Sequence, residues 1–150
     1  MSRSASLDFA GSVLAVDDCP AMRELMCASL ECLGYRVRAA DSGWAALDAV
    51  HETLFDVIVL DVEMPGLDGM AVGRALRSNG RTAAAAIAMH SSVAEAIVRA
   101  GFHEYDAFVP KGVNVRLLGE QVDRLMRSRR TANCAQTPLA KGGNAPSSDG

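Results

Sequence analysis

At 150 residues, with 49% hydrophobic and 5% aromatic content, the chain is sized for one domain whose core must come from Leu, Val, Ile, Met and Ala. A net charge of −3 offers no global attraction to nucleic acid or to an anionic membrane. No apolar run reaches signal-peptide length at the amino terminus or transmembrane length anywhere, so a soluble cytoplasmic protein is expected.

The elements follow in chain order. Val13 to Val16 is a short apolar run that ends in Asp17-Asp18 and reads as a buried strand. Pro20 suits a first helical turn, Met22, Leu25, Met26, Leu30 and Leu33 recur at helical spacing, and Gly34 is a natural stop. Tyr35 to Ala40 alternates, as a strand near a sheet edge would. Asp41-Ser42-Gly43 offers capping chemistry for a short helix through Trp44, Leu47 and Val50. Val57 to Leu60 is a second buried strand, cut off at Asp61 and followed by the turn-prone Met64-Pro65-Gly66. A helix runs from Gly69 through Leu76. Ala83 to Met89, ending in His90-Ser91-Ser92, is read as a strand only because elements alternate, since alanine is a poor strand former. A short helix over Val93 to Ala100 closes at Gly101. Ala107 to Pro110 is the fifth strand, with Lys111 after it, and a last amphipathic helix carries Val115, Leu118, Val122, Leu125 and Met126. Residues 1–11 are expected to be disordered, residues 12–130 to form the domain, and residues 131–150, small, polar and broken by Pro and Gly, to be a disordered tail.

Alternating strands and helices with short connections predict a parallel sheet with helices on both faces, a (βα)5 α/β fold. In such a sheet the carboxyl ends of the strands share one rim, where chemistry is placed. Asp17, Asp18, Asp61, Ser91 and Lys111 all fall there. Two unit charges ~4 Å apart repel by ~4 kcal/mol at an effective dielectric near 20, so three carboxylates together call for a cation or a proton. An all-oxygen site of this kind suits Mg²⁺, which keeps waters and accepts phosphate oxygens. Lys111 supplies positive charge for a phosphoryl oxygen, Ser91 a hydroxyl donor, and Asp61 a carboxylate nucleophile able to form an acyl phosphate. His90 is left on the strand. The four cysteines, Cys19, Cys27, Cys32 and Cys134, form no CxxC pair and lack zinc-ligand spacing, so free thiols are expected.

The segments VLAVDDCPAMRELM, DVIVLDVEMPGLDG and AFVPKG resemble the receiver domain of two-component response regulators, of the single-domain chemotaxis-regulator type. The resemblance spans about Ser12 to Arg130. It implies a flavodoxin-like, doubly wound five-stranded sheet in the order 2-1-3-4-5. It implies Mg²⁺ held by Asp18 and Asp61, with Asp17 acting through water and the backbone carbonyl of Glu63 assisting. It implies transfer of a phosphoryl group to Asp61 from a phosphohistidine of a sensor histidine kinase or histidine phosphotransfer protein. Ser91 would then bond the phosphoryl group, Phe108 fill the aromatic switch position and Lys111 pair with the phosphate. The signal would pass through the altered surface to a downstream target protein.

This sequence departs from the family pattern in three places. Pro110 precedes Lys111 and Gly112 follows, where the family places Pro after the Lys. The segment from Ser91 to Lys111 is short, so the fourth helix is expected to be truncated or displaced. Phe108 has no hydroxyl. Two other readings compete: a receiver-shaped binding module that works without phosphorylation, and an aspartyl-phosphate hydrolase of haloacid dehalogenase type, whose nucleophile and acid/base spacing Asp61 and Glu63 mimic. Against the latter, that nucleophile normally follows the first strand.

Overall fold

The computed structural model describes residues 9–112 and 114–142, with side chains through Ala132. Strands and helices alternate from end to end. They are β1 (Ser12–Val16), α1 (Pro20–Cys32), β2 (Arg36–Ala40), α2 (Gly43–Glu52), β3 (Val57–Asp61), α3 (Gly69–Ser78), β4 (Ala86–Ser91), α4 (Glu95–Gly101), β5 (Ala107–Pro110) and α5 (Val115–Gly142). All the strand pairs are parallel, in the order β2-β1-β3-β4-β5. This is the doubly wound, flavodoxin-like architecture that the sequence predicts.

Side-chain alternation along each strand divides the core into two layers. Leu14, Val16, Ile58, Leu60, Ile87 and Met89 face one side and pack against Ala46, Ala49 and Val50 of α2, Val72 and Leu76 of α3 and Val98 of α4. Val13, Ala15, Val57, Val59, Ala86 and Ala88 face the other and meet Met26 and Leu30 of α1 and Leu118, Val122, Leu125 and Met126 of α5. Each fully buried aliphatic side chain of this kind contributes roughly 1.5–3 kcal/mol. The division explains the alanines of β4. Ala86 and Ala88 lie on the face that α5 covers, where small side chains let a long helix approach the sheet.

Helix starts follow local chemistry. Ser42 Oγ accepts from Ala45 N at 3.0 Å, and Asp68 Oδ1 accepts from Ala71 N at 2.9 Å, so each caps the helix after it. Pro20 occupies the first turn of α1. Gly69 opens α3 against the end of β3, where a Cβ would stand 2.1 Å from the Asp61 carbonyl oxygen. Only glycine fits there, and the close approach fixes the loop that carries Asp61.

Three boundaries differ from expectation. β4 begins at Ala86, because Ala83 and Ala85 are held in a turn by the Arg77 guanidinium, which donates to both of their carbonyls at 2.8 and 2.6 Å. The helix expected to end at Arg130 continues to Gly142, through Pro138, which local helix propensity does not explain. Residues 143–150 of the expected disordered tail lie outside the described residues, as do residues 1–8 at the other end. Of the rest of the amino terminus, Ala10 N donates to Gly34 O at 2.9 Å, and the Phe9 ring lies 4.8 Å from the Arg36 guanidinium, so residues 9–11 are anchored on β2 rather than disordered. The fourth helix is short, Glu95–Gly101, as the Ser91–Lys111 spacing predicts. Among the described residues no helix is long and apolar enough to cross a membrane. Cys19, Cys27 and Cys32 are free thiols; the side chain of Cys134 lies outside the described set.

Candidate functional site

The central strands β1 and β3 end side by side and deliver three carboxylates to one rim. Asp17, Asp18 and Asp61 each offer an oxygen, and these oxygens lie within 4.8 Å of one another. Asp17 and Asp61 are buried, whereas Asp18 is exposed. One oxygen of Asp17 is spent locally, Oδ1 accepting from Cys19 N at 2.9 Å, while its backbone carbonyl accepts from Arg23 Nη1 at 2.9 Å. The other, Oδ2, is buried, with Lys111 Nζ 2.8 Å away as its ion-pair partner. A buried carboxylate oxygen with a free lone pair, beside two further carboxylates, fits a hard cation such as Mg²⁺.

Lys111 bridges the cluster. Its Nζ also lies 3.0 Å from Asp61 Oδ1, and its backbone N donates to Ser91 O at 2.8 Å. The unusual Pro110-Lys111-Gly112 order therefore still places the ammonium on the acidic pair. Gly112, with φ +90°, takes the left-handed turn that leads away. Burial alone would pull the Lys111 pKa down, but the carboxylates of Asp17 and Asp61 outweigh it and hold the group above its ordinary value. Burial pushes the Asp61 carboxyl up to about 6, with Asp17 and Asp18 adding to the rise and Lys111 opposing it. Asp61 is thus a carboxylate whose ionised form is strained unless positive charge arrives.

Ser91 ends β4 beside this cluster. Its Oγ accepts from Val93 N at 2.9 Å, which leaves its own O–H free to donate. Phe108 lies opposite Met89 in the β4–β5 register and Ser91 opposite Pro110, so Phe108 and Ser91 share one face of the sheet, one residue pair apart. Phe108 is half-buried against the α2–α4 layer. Glu63 is exposed in the β3–α3 loop, and its carboxylate accepts from the Ser92 hydroxyl at 3.2 Å. That orientation, together with Asp61 following the third strand, leaves the hydrolase-like reading without support. His90 pairs with Asp61 in the β3–β4 register. Burial, with Lys111 adding to it, lowers its pKa to about 4, so at neutral pH it is an uncharged ring.

One neighbour of the site was not apparent from the sequence. Tyr105 stands between Phe102 and Phe108, with ring centroids 6.4 and 6.1 Å away. Its hydroxyl donates to Glu95 Oε2 at 2.6 Å, tying this row of aromatics to α4. The only signal was the spacing of three aromatics three residues apart.

Comparison with known proteins agrees with this geometry. The family model for the response regulator receiver domain matches residues 13–123. The response regulator MprA of Mycobacterium leprae is 36% identical over 128 residues, covering 83% of this chain and 55% of that protein. The sensor histidine kinase GacS of Pseudomonas protegens is 46% identical over 65 residues, covering 43% of this chain and 7% of the kinase. The chain thus spans about half the length, or less, of these curated relatives. Among solved structures, the chemotaxis protein CheY4 of Vibrio cholerae superposes with a TM-score of 0.73 at 27% identity, covering 77% of this chain and 98% of that one. The response regulator TrrA of Thermotoga maritima, solved in complex with Mg(2+)-BeF, gives 0.68 at 30% identity, covering 77% and 98%. With its five-stranded topology, its acidic rim and a family match across nearly all of the sheet, this chain belongs to the response regulator receiver domains.

Proposed function

We propose that the protein is a phosphoacceptor switch in which Asp61 takes a phosphoryl group from a phosphohistidine of a sensor histidine kinase or a histidine phosphotransfer protein. The observation that supports this best is the convergence of three carboxylates within 4.8 Å on a rim that also carries the Lys111 ammonium. An Asp61 carboxylate oxygen attacks phosphorus, the N–P bond of the phosphohistidine breaks, and the released imidazole takes up a proton. The product is an acyl phosphate on Asp61.

Asp18 and Asp61 would hold Mg²⁺ directly, Asp17 through water, and the Glu63 backbone carbonyl would complete the protein ligands. Bound there, Mg²⁺ supplies positive charge to the transferring group. Asp17 holds Lys111 in place through the 2.8 Å ion pair, and Lys111 lies 3.0 Å from the Asp61 oxygen, where it neutralises charge that builds on the phosphoryl oxygens. The free Ser91 O–H donates to the same group. A phosphoryl group adds roughly −1.5 to −2 charge and strong acceptor oxygens. Drawing Ser91 inward opens space on the face that it shares with Phe108, and movement of Phe108 alters the surface a downstream protein reads. The exchange takes place in the cytoplasm, and the protein's part in it is signalling rather than turnover.

Incubation with acetyl phosphate and Mg²⁺, followed by intact-mass measurement, tests the reading. A single added phosphoryl group is expected, absent without Mg²⁺ and absent in Asp61→Asn. An unmodified wild-type chain would point to a receiver fold that binds its partner without phosphorylation. Repeated release of inorganic phosphate at an enzymic rate would return the hydrolase.

A further inference from the structure

We propose that the groove between the β3–α3 loop and α4 is a docking site for an apolar, basic segment of a partner protein, and that occupation of Asp61 by a phosphoryl group changes its affinity. The second half rests on the phosphoacceptor reading; the first does not.

The groove has a volume of about 540 Å³, within the ~300–1,000 Å³ range typical of ligand sites. Its apolar lining comes from Val62, Met64, Pro65, Met70, Val93 and Ile97. Ile97 is 63% exposed on α4, so the groove continues onto an uncovered aliphatic side chain. Ile97 thus extends the apolar lining of the groove onto the outer surface of α4. Two methionines in the lining let it adapt to different apolar side chains.

The charge of the groove selects the partner. Both ionisable residues that line it, Glu63 and Asp68, are acidic. The arginines of the flanking helices are committed elsewhere. Arg74 donates to Gly101 O at 2.7 Å, Arg77 pairs with Asp106 at 2.8 Å, and Arg99 pairs with Glu95 at 2.9 Å. A segment that inserts Leu or Phe and places Lys or Arg at the edge meets both features, whereas an acidic segment is repelled.

Both walls are tied to the phosphoacceptor. Glu63 lies two residues beyond Asp61 on the loop that β3 feeds. Val93 N donates to Ser91 Oγ at 2.9 Å, and Ser92 Oγ closes the gap to Glu63 at 3.2 Å. A group at Asp61 that recruits the Ser91 O–H therefore moves Val93 with it and reshapes the groove.

The test uses the full chain, methyl-labelled for NMR, with two synthetic helical peptides. One carries Leu and Phe on one face and Lys on the other; its counterpart has Glu in place of Lys. The Lys peptide is expected to shift the methyl signals of Met64, Met70, Val93 and Ile97 saturably, and the Glu peptide to bind at least about tenfold more weakly. Ile97→Ser, at an exposed position, should weaken the Lys peptide by about tenfold. Asp68→Asn, which preserves the cap of α3, should weaken it at low salt only. With Mg²⁺ and beryllofluoride present, the affinity should change. Absence of these methyl shifts, equal binding of the Glu peptide, shifts confined to another face, or shifts that follow protein concentration alone would each overturn the docking site. If beryllofluoride moves the Ser91 and Lys111 signals but leaves peptide affinity unchanged, the coupling is wrong. If it moves neither, the phosphoacceptor reading fails while the docking result stands on its own.

Discussion

Replacing Asp61 should make the metal-free protein more stable. The folded pKa of Asp61 is raised to about 6 from 3.8. Between these values the folded state binds more protons than the unfolded state, so this group makes stability fall as pH rises. At 1.36 kcal/mol per pKa unit, holding Asp61 ionised at pH 7 costs about 3 kcal/mol. Asp61→Asn keeps the shape and removes the charge, and Lys111 retains Asp17 at 2.8 Å. In EDTA at pH 7 the variant should therefore gain about 2–3 kcal/mol in urea denaturation. His90 supplies an internal check. Its pKa is lowered from 6.5 to about 4, so it makes stability rise with pH over that window, again by about 3 kcal/mol. The two slopes nearly cancel in wild type. Asp61→Asn should expose the His90 slope, with stability climbing between pH 4 and 6.5. Added Mg²⁺ should stabilise wild type more than the variant. If Asp61→Asn is less stable than wild type in EDTA, the Asp61–Lys111 pair outweighs burial and carboxylate repulsion, and the electrostatic picture of the site is wrong.

Lys111→Met leaves two buried carboxylates without their cation and should cost about 3–5 kcal/mol at pH 7, with a smaller loss near pH 4, where Asp61, raised to about 6, is protonated; an equal loss at both values would show that the lysine stem, not its charge, matters. Arg77→Ala should destabilise by about 2–4 kcal/mol in thermal or urea unfolding, since this side chain donates to the carbonyls of Ala83, Ala85 and Glu104 and pairs with Asp106. An effect below about 0.5 kcal/mol would show that the turn before β4 holds itself. Ser91→Ala should leave Asp61 open to phosphorylation yet mute the backbone NMR shifts between Ser91 and Lys111 on beryllofluoride addition. Full-sized shifts in that variant would take Ser91 out of the coupling.

The rim was legible because each of its groups terminates an apolar run. Val13–Val16 and Val57–Leu60 read as strands from their side chains alone, and a parallel sheet brings the residues at their carboxyl ends together. The alanines of β4 carried no such signal, since their logic is the close approach of α5 to Ala86 and Ala88, a tertiary fact. The true start of β4 was hidden for a similar reason. Arg77 reaches across from α3 to satisfy the carbonyls of Ala83 and Ala85, and nothing local to those residues announces it. The carboxyl end of α5 was missed because small and polar residues and Pro138 argued for a tail, and the local propensities of residues 131–142 do not account for the continued helix. At Lys111 the order of Pro and Gly differs from the family pattern, yet the ammonium still reaches both carboxylates, because the strand end and the Lys111 N to Ser91 O hydrogen bond position the residue.

The proposed switch rests on Asp61 as the residue that carries the phosphoryl group. Treatment of the acetyl phosphate-labelled protein with borohydride reduces an aspartyl phosphate to homoserine, and peptide mass spectrometry then locates it. Homoserine at position 61, with Asp17 and Asp18 intact, is the predicted result. Reduction at Asp17 or Asp18 instead, or a phosphoryl group that resists borohydride and so sits on another side chain, would contradict it.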